Sequence, residues 1–301
     1  MSAGMAEQTC KVGDIEIAYE TFGEPSDPAV LLVMGLATQM IAWHEDFCRE
    51  LADRGFHVIR FDNRDVGRST AMRDLPAPSI RQLALRSKKA AGYTLSDMAG
   101  DAVGLLDHLG IERAHVVGAS MGGMIAQTIA IEHPDRVLSL CSIMSNTGSR
   151  WSGQPKLATY RVLLSVQPSD RDDFIQHVLR MYRVIGSPDF DRDEDDLRDI
   201  AARSYDRGRN PAGSGRQLAA IIASGDRRSS LRGLDVPTVV IHGTKDPLVS
   251  PSGGRATAKA IPGAKLVRIE GMGHDLPRQT WPRIIGEIAE NAARAGQPAV
   301  A

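Results

Sequence analysis

Along this chain, short apolar runs alternate with longer segments whose apolar residues recur every three or four positions. Ala29–Met34 (AVLLVM), His57–Phe61 (HVIRF), Ala114–Val117 (AHVV), Val137–Ile143 (VLSLCSI), Pro237–Ile241 (PTVVI) and Lys265–Ile269 (KLVRI) have the length and composition of strands. Val12–Thr21 alternates instead and reads as exposed early strands or a hairpin. Ser96–Leu109 puts Met98, Val103, Leu105, Leu106 and Leu109 near one helical face, with Asp97 and Asp101 in its early turns and Gly110 as its stop. Runs apolar on both faces, separated by helices, predict an α/β fold with a mostly parallel sheet covered on both sides. In such a sheet the strands' C-terminal ends share one edge, where ligands bind.

Between about Asn146 and Gly215 the pattern changes. No strand is visible there; the segment is charged, helical in period, and interrupted at Pro155, Pro168, Pro188 and Pro211. It reads as a helical cap over residues 146–215, inserted into a core formed by 1–145 and 216–301. The acidic run Asp189–Asp199 does not make a calcium loop. A loop starting at Asp191 would need glycine at its sixth position and glutamate at its twelfth, where Asp196 and Ala202 stand. An acid-rich helix start is the better reading.

Composition narrows the function classes. Lys and Arg total 36 against 37 Asp and Glu, so no basic excess draws in nucleic acid. The N-terminal MSAGMAEQTCKVGD has no basic region followed by an apolar one, as a secretory signal would. The longest apolar run, Ala29–Ala37, is about half a membrane span. Cys10, Cys48 and Cys141 are odd in number and widely spaced, which fits reduced thiols in a cytoplasm and no zinc motif. No motif specifies an oligomeric state.

The chemistry enters at Gly118-Ala119-Ser120-Met121-Gly122. A strand runs straight into this G-x-S-x-G and a helix runs straight out. Such a turn holds its central residue in a strained conformation with the side chain at the sheet edge, and the flanking glycines let backbones pass closely. A serine hydroxyl needs a base. Of eight histidines, His57 and His115 lie at strand starts on the opposite edge, His108 and His133 on helices or their ends, His44 in the first crossover, and His242 closes a strand. His274, in Gly271-Met272-Gly273-His274-Asp275, follows a strand's C-terminal end and is the expected base. Asp246, just past the preceding strand, is the expected orienting acid; Asp226 and Asp235 precede that strand, and Asp275 adjoins His274. The order Ser, Asp, His is that of the nucleophile-elbow architecture. For the oxyanion, Met121 supplies one backbone N–H and Leu36, after Gly35, a second. Met40, Trp43 and Met124, with Leu36 and Met121, are expected to form an apolar wall for substrate, the alternative for Met40 and Trp43 being a place in the core.

Gly35, the turn Asp62-Asn63-Arg64-Asp65-Val66-Gly67-Arg68-Ser69, the Ser120 elbow, Asp246 and Gly273-His274 together resemble the α/β-hydrolase superfamily, over nearly the whole chain outside the cap. VMGLATQ and VIRFDNRDVGRST are similar to aclacinomycin methylesterase-like proteins and related bacterial esterases. The resemblance implies an eight-stranded core, a helical cap, no metal and no organic cofactor. Met34 stands where many relatives have histidine, and Asp65 where the D-x-R-G-x-G-x-S turn commonly has glycine. Ser120 excludes the branches whose nucleophile is aspartate. The expected reaction is hydrolysis of a small-molecule carboxylic ester. The same three side chains also serve thioesterases, C–C bond hydrolases, acyltransferases and cofactor-free perhydrolases, and a ligand-binding protein that has lost turnover is a further alternative.

Overall fold

The computed structural model describes residues 6–159, 165 and 167–296. The first five residues of the N-terminal stretch, and residues 160–164 and 166 of the expected cap, lie outside the described residues.

Eight strands form one sheet: β1 (Gln8–Val12), β2 (Ile15–Phe22), β3 (Ala29–Val33), β4 (His57–Phe61), β5 (Ala114–Ala119), β6 (Val137–Ile143), β7 (Thr238–Gly243) and β8 (Lys265–Ile269). Their spatial order is β1-β2-β4-β3-β5-β6-β7-β8. β1 pairs antiparallel with β2, and β2 with β4; every later pairing is parallel. The predicted strands at residues 57–61, 137–143 and 265–269 match in their bounds. β8 is an edge strand, with Lys265, Leu266 and Arg268 on its exposed positions.

The period of two explains how one sheet feeds two cores. Leu31, Val33, Ile59 and Val116 point to the face covered by α2 (Leu95–His108) and α3 (Met121–Glu132). Val30, Leu32, Val58, Val117 and Ile241 point to the other, where Phe47 and Leu51 of α1 (Glu45–Ala52) and Ile284, Ile285 and Ile288 of α8 (Trp281–Arg294) close it. α3 is buried at every position from Met121 to Ala130, the polar Gln127 and Thr128 included, so it has no solvent-facing side over that span.

Between β6 and β7 the chain forms α4 (Arg171–Ile185), α5 (Glu194–Arg207) and α6 (Pro211–Ser224). Asp193 caps α5 through the Asp196 N–H, and Glu194, Asp195 and Asp196 occupy its first turn. That is the helix start read from the acidic run. α6 runs through the expected boundary between residues 215 and 216. α7 (Ser252–Ala260) follows β7.

Candidate active site

Ser120 stands between β5 and α3 with φ 56° and ψ −118°, a left-handed conformation that a side chain rarely adopts. The neighbouring glycines make the turn possible. A Cβ on Gly118 would lie 2.1 Å from the Gly122 carbonyl oxygen, and one on Gly122 would lie 2.0 Å from that of Val33. Ser145 Oγ donates to the Ser120 carbonyl at 2.7 Å and so ties the turn to the end of β6.

Three side chains from distant parts of the chain meet here. His274 Nε2 lies 2.9 Å from Ser120 Oγ, and His274 Nδ1 lies 2.7 Å from Asp246 Oδ2. A carboxylate can only accept, so Nδ1 carries the proton and Nε2 is left as acceptor for the serine hydroxyl. Asp246 is fully buried. Burial alone would raise its carboxyl; the charge of His274, the neighbouring His242 and the hydrogen bond from His274 outweigh this and hold it at about 2. Its other oxygen accepts the Leu248 and Val249 N–H groups at 2.9 and 2.8 Å.

His242 has a place in this arrangement that the sequence reading did not give it. Its Nε2 donates to the Val249 carbonyl at 2.8 Å and lies 3.5 Å from Asp246 Oδ2. It therefore stands beside the same carboxylate oxygen that His274 engages. Its position four residues before Asp246 was the available signal. Asp275 does not compete for His274, because its carboxylate takes the Ser187 hydroxyl instead. The loop carrying His274 is further held by the insertion: the His274 N–H donates to the Ile185 carbonyl at 2.8 Å, and the Gly273 N–H to Ser187 Oγ at 2.8 Å.

The loop after β3 reaches Ser120. A Cβ on Gly35 would stand 3.1 Å from Ser120 Cβ and 3.7 Å from its Oγ. Among the described residues, neither the Leu36 N–H nor the Met121 N–H has a protein acceptor. Both are thus available to an oxyanion beside Ser120.

The expected apolar wall needs correction. Met40 and Trp43 are 0% exposed and present no surface to a ligand. Trp43 belongs to the core instead, stacked on Phe47 with ring centroids 5.4 Å apart. The crossover turns back on a short 3-10 segment at Met40–Ala42, which carries these side chains inward. Met121 and Met124 are buried within the core cluster of the α3 face, and Leu36 is half-buried against it.

A model of the alpha/beta hydrolase fold family matches residues 28–277. The chain belongs to that family. Within it, the chain is similar to rhodomycin D methylesterase DauP of Streptomyces sp. (strain C5), 29% identical over 286 residues, 88% of this chain and 90% of that one. It is also similar to 3-oxoadipate enol-lactonase 2 of Acinetobacter baylyi, 24% identical over 270 residues, 88% of each chain. Among solved structures, the enol-lactonase from Burkholderia xenovorans LB400 superposes with a TM-score of 0.71 at 23% identity, covering 95% of this chain and 100% of that one. That likeness shows the fold.

The α/β-hydrolase turn after β4 also explains a departure from the family pattern. Asp65 stands at φ 71°, the conformation for which glycine is the ordinary choice. Its carboxylate accepts Arg216 Nε and Nη2 at 2.8 and 2.7 Å, the Tyr93 hydroxyl at 2.7 Å and the Asn210 amide at 2.8 Å. The aspartate gives up glycine's backbone freedom and gains a buried anchor for the insertion.

Proposed function

We propose that this chain is a serine hydrolase that cleaves a carboxylic ester through an acyl-enzyme, with Ser120 as nucleophile, His274 as general base and acid, and Asp246 as its orienting carboxylate. The single observation carrying this reading is the unbroken line of hydrogen bonds from Asp246 through His274 to Ser120. Ser120 attacks the ester carbonyl while His274 Nε2 takes its proton. The Leu36 and Met121 N–H groups receive the charge that develops on the carbonyl oxygen. His274 then protonates the departing alcohol, and water activated by the same nitrogen releases the acid. Asp246, ionised throughout, stabilises the imidazolium.

The names of the rhodomycin D methylesterases favour a methyl ester as substrate class. Leu36, which stays partly exposed in the loop beside Ser120, supplies the apolar side of the acyl site, and α4–α6 with their connections act as the cap. Among the described residues no helix is long and apolar enough to cross a membrane. Cys10, Cys48 and Cys141 are buried free thiols, which supports a reducing, cytoplasmic setting.

Ser120→Ala is expected to lower turnover of methyl and p-nitrophenyl esters by about 10⁶. A fluorophosphonate probe is expected to label native protein and not the variant. Ester turnover retained in folded Ser120→Ala would refute the assignment.

A further inference from the structure

The loop that offers the Leu36 N–H is held in place from outside itself. Ala37 has φ 55°, a conformation that a non-glycine residue keeps only when its surroundings demand it. The surroundings here are Gln217, a fully buried side chain in the middle of α6. Gln217 Oε1 accepts the Ala37 N–H at 2.8 Å, and Gln217 Nε2 donates to the Arg64 carbonyl at 2.8 Å. An N–H can only donate and a carbonyl can only accept, so the orientation of this amide is fixed by its two partners.

Arg64 belongs to the turn after β4, and the same turn grips both ends of the loop. Asn63 Nδ2 donates to the Met34 carbonyl at 2.9 Å, and Asp62 Oδ1 accepts the Met40 N–H at 2.7 Å. Gln217 therefore pins the middle of a segment whose ends are fixed already. On one side of Leu36, Gly35 packs against Ser120; on the other, the Ala37 N–H is occupied. The Leu36 N–H is left without a partner between them. We propose that Gln217 is a positioning residue for the oxyanion hole: by taking the Ala37 N–H it turns the Gly35–Ala37 segment so that the Leu36 N–H faces the oxygen of the tetrahedral intermediate. The inference rests on the ester-hydrolase reading above. It makes the helical insertion a working part of the oxyanion hole, because Gln217 follows Arg216, whose pair with Asp65 seats the same helix.

The test uses the full chain and three variants. Gln217→Met keeps the volume and removes both hydrogen bonds. Gln217→Asn keeps the amide but is too short to span both partners. Gln217→Glu keeps an acceptor for the Ala37 N–H. Ester kinetics are read beside the inhibition constant of an alkylboronic acid, which forms a tetrahedral adduct on the serine, and beside Tm. In Gln217→Met and Gln217→Asn, kcat is expected to fall about 10- to 100-fold with KM changed less than about threefold, and boronate affinity to fall in parallel. Gln217→Glu is expected to recover a substantial part of both. Unchanged kcat and boronate affinity in either folded variant, with or without a lower Tm, would overturn the inference. If Gln217→Met fails to fold, the comparison of Gln217→Glu with Gln217→Asn decides, and equal activity counts against it. Native protein with neither ester turnover nor boronate binding would overturn the hydrolase reading and this inference with it. Native turnover that survives in Gln217→Met overturns this inference alone.

Discussion

Beneath Ser120, the sheet is sealed by Leu31, Leu32, Val33, Val116 and Ile129, all inaccessible to water. Across the seam, α5 buries a single apolar side chain, Ala201, and meets the core through charge. Arg203 pairs with Glu45 at 2.6 Å, Arg207 with Asp62 at 2.8 Å and with Glu7 at 3.1 Å, and Asp196 with Arg278 at 3.2 Å. The two regions solve different problems. Apolar burial is non-directional and gives the strand ends a platform that packing alone keeps rigid. Ion pairs and hydrogen bonds have partners and angles, so they set the register of one helix against one loop. The platform holds Ser120, Asp246 and His274 at or just beyond its strand ends; the polar seam fixes α5 against Glu7, Glu45, Asp62 and Arg278.

Three outcomes would break or sharpen this contrast. The largest concerns the platform's chemistry. Asp246→Asn keeps the packing but turns an amide N–H₂ toward His274, which must then carry its proton on the nitrogen facing Ser120. By precedent with other triads, kcat is expected to fall by about 10⁴ with little change in KM. The same variant tests the linkage to pH. Asp246 is depressed to about 2, so the stability its ionised form contributes is complete above about pH 4, the unfolded carboxylate range, and is lost as pH falls through about 2. Urea midpoints of native and Asp246→Asn protein should converge over that window. A gap that stays constant from pH 5 to about pH 2 would contradict the assignment.

Next comes the buried part of the seam. Asp65→Ala leaves Arg216, 3% exposed, without its carboxylate, and a loss of about 3–5 kcal/mol in urea unfolding is expected. A loss within experimental error would mean that this pair does not anchor α6. The smallest effect belongs to the exposed part. Arg203 is 41% exposed, so Arg203→Ala should cost less than about 1 kcal/mol, and added salt should reduce even that difference in Tm. A large, salt-insensitive loss would show that the outer seam is packed rather than ionic.

How much of this was legible depends on the kind of force involved. Strands announced themselves as short runs rich in β-branched residues and leucine, and β4, β6 and β8 were read to the residue although β4 carries Arg60 and β6 carries Ser139 and Ser142. β5 runs two residues past its predicted end, since Gly118 and Ala119 carry too little side chain to extend an apolar run. α6 crossed the expected domain boundary for a similar reason: Pro-Ala-Gly-Ser-Gly at its start reads as a loop until the packing beneath it is seen. Met40 and Trp43 stayed open between core and substrate wall because sequence gives the size and polarity of a side chain but not the direction of a crossover.

The order of Ser120, Asp246 and His274, the strands that precede them and the glycines that let the elbow turn are local properties, fixed by residue type and spacing, and the sequence determined them by itself. The tertiary structure alone decided that Asp65 would bind Arg216, that His242 would flank the triad carboxylate, and that Gln217 would hold the Ala37 N–H across 180 residues of chain. A polar side chain reads the same in solvent as in a core. Only folding, by removing water from around it, makes its choice of partner matter.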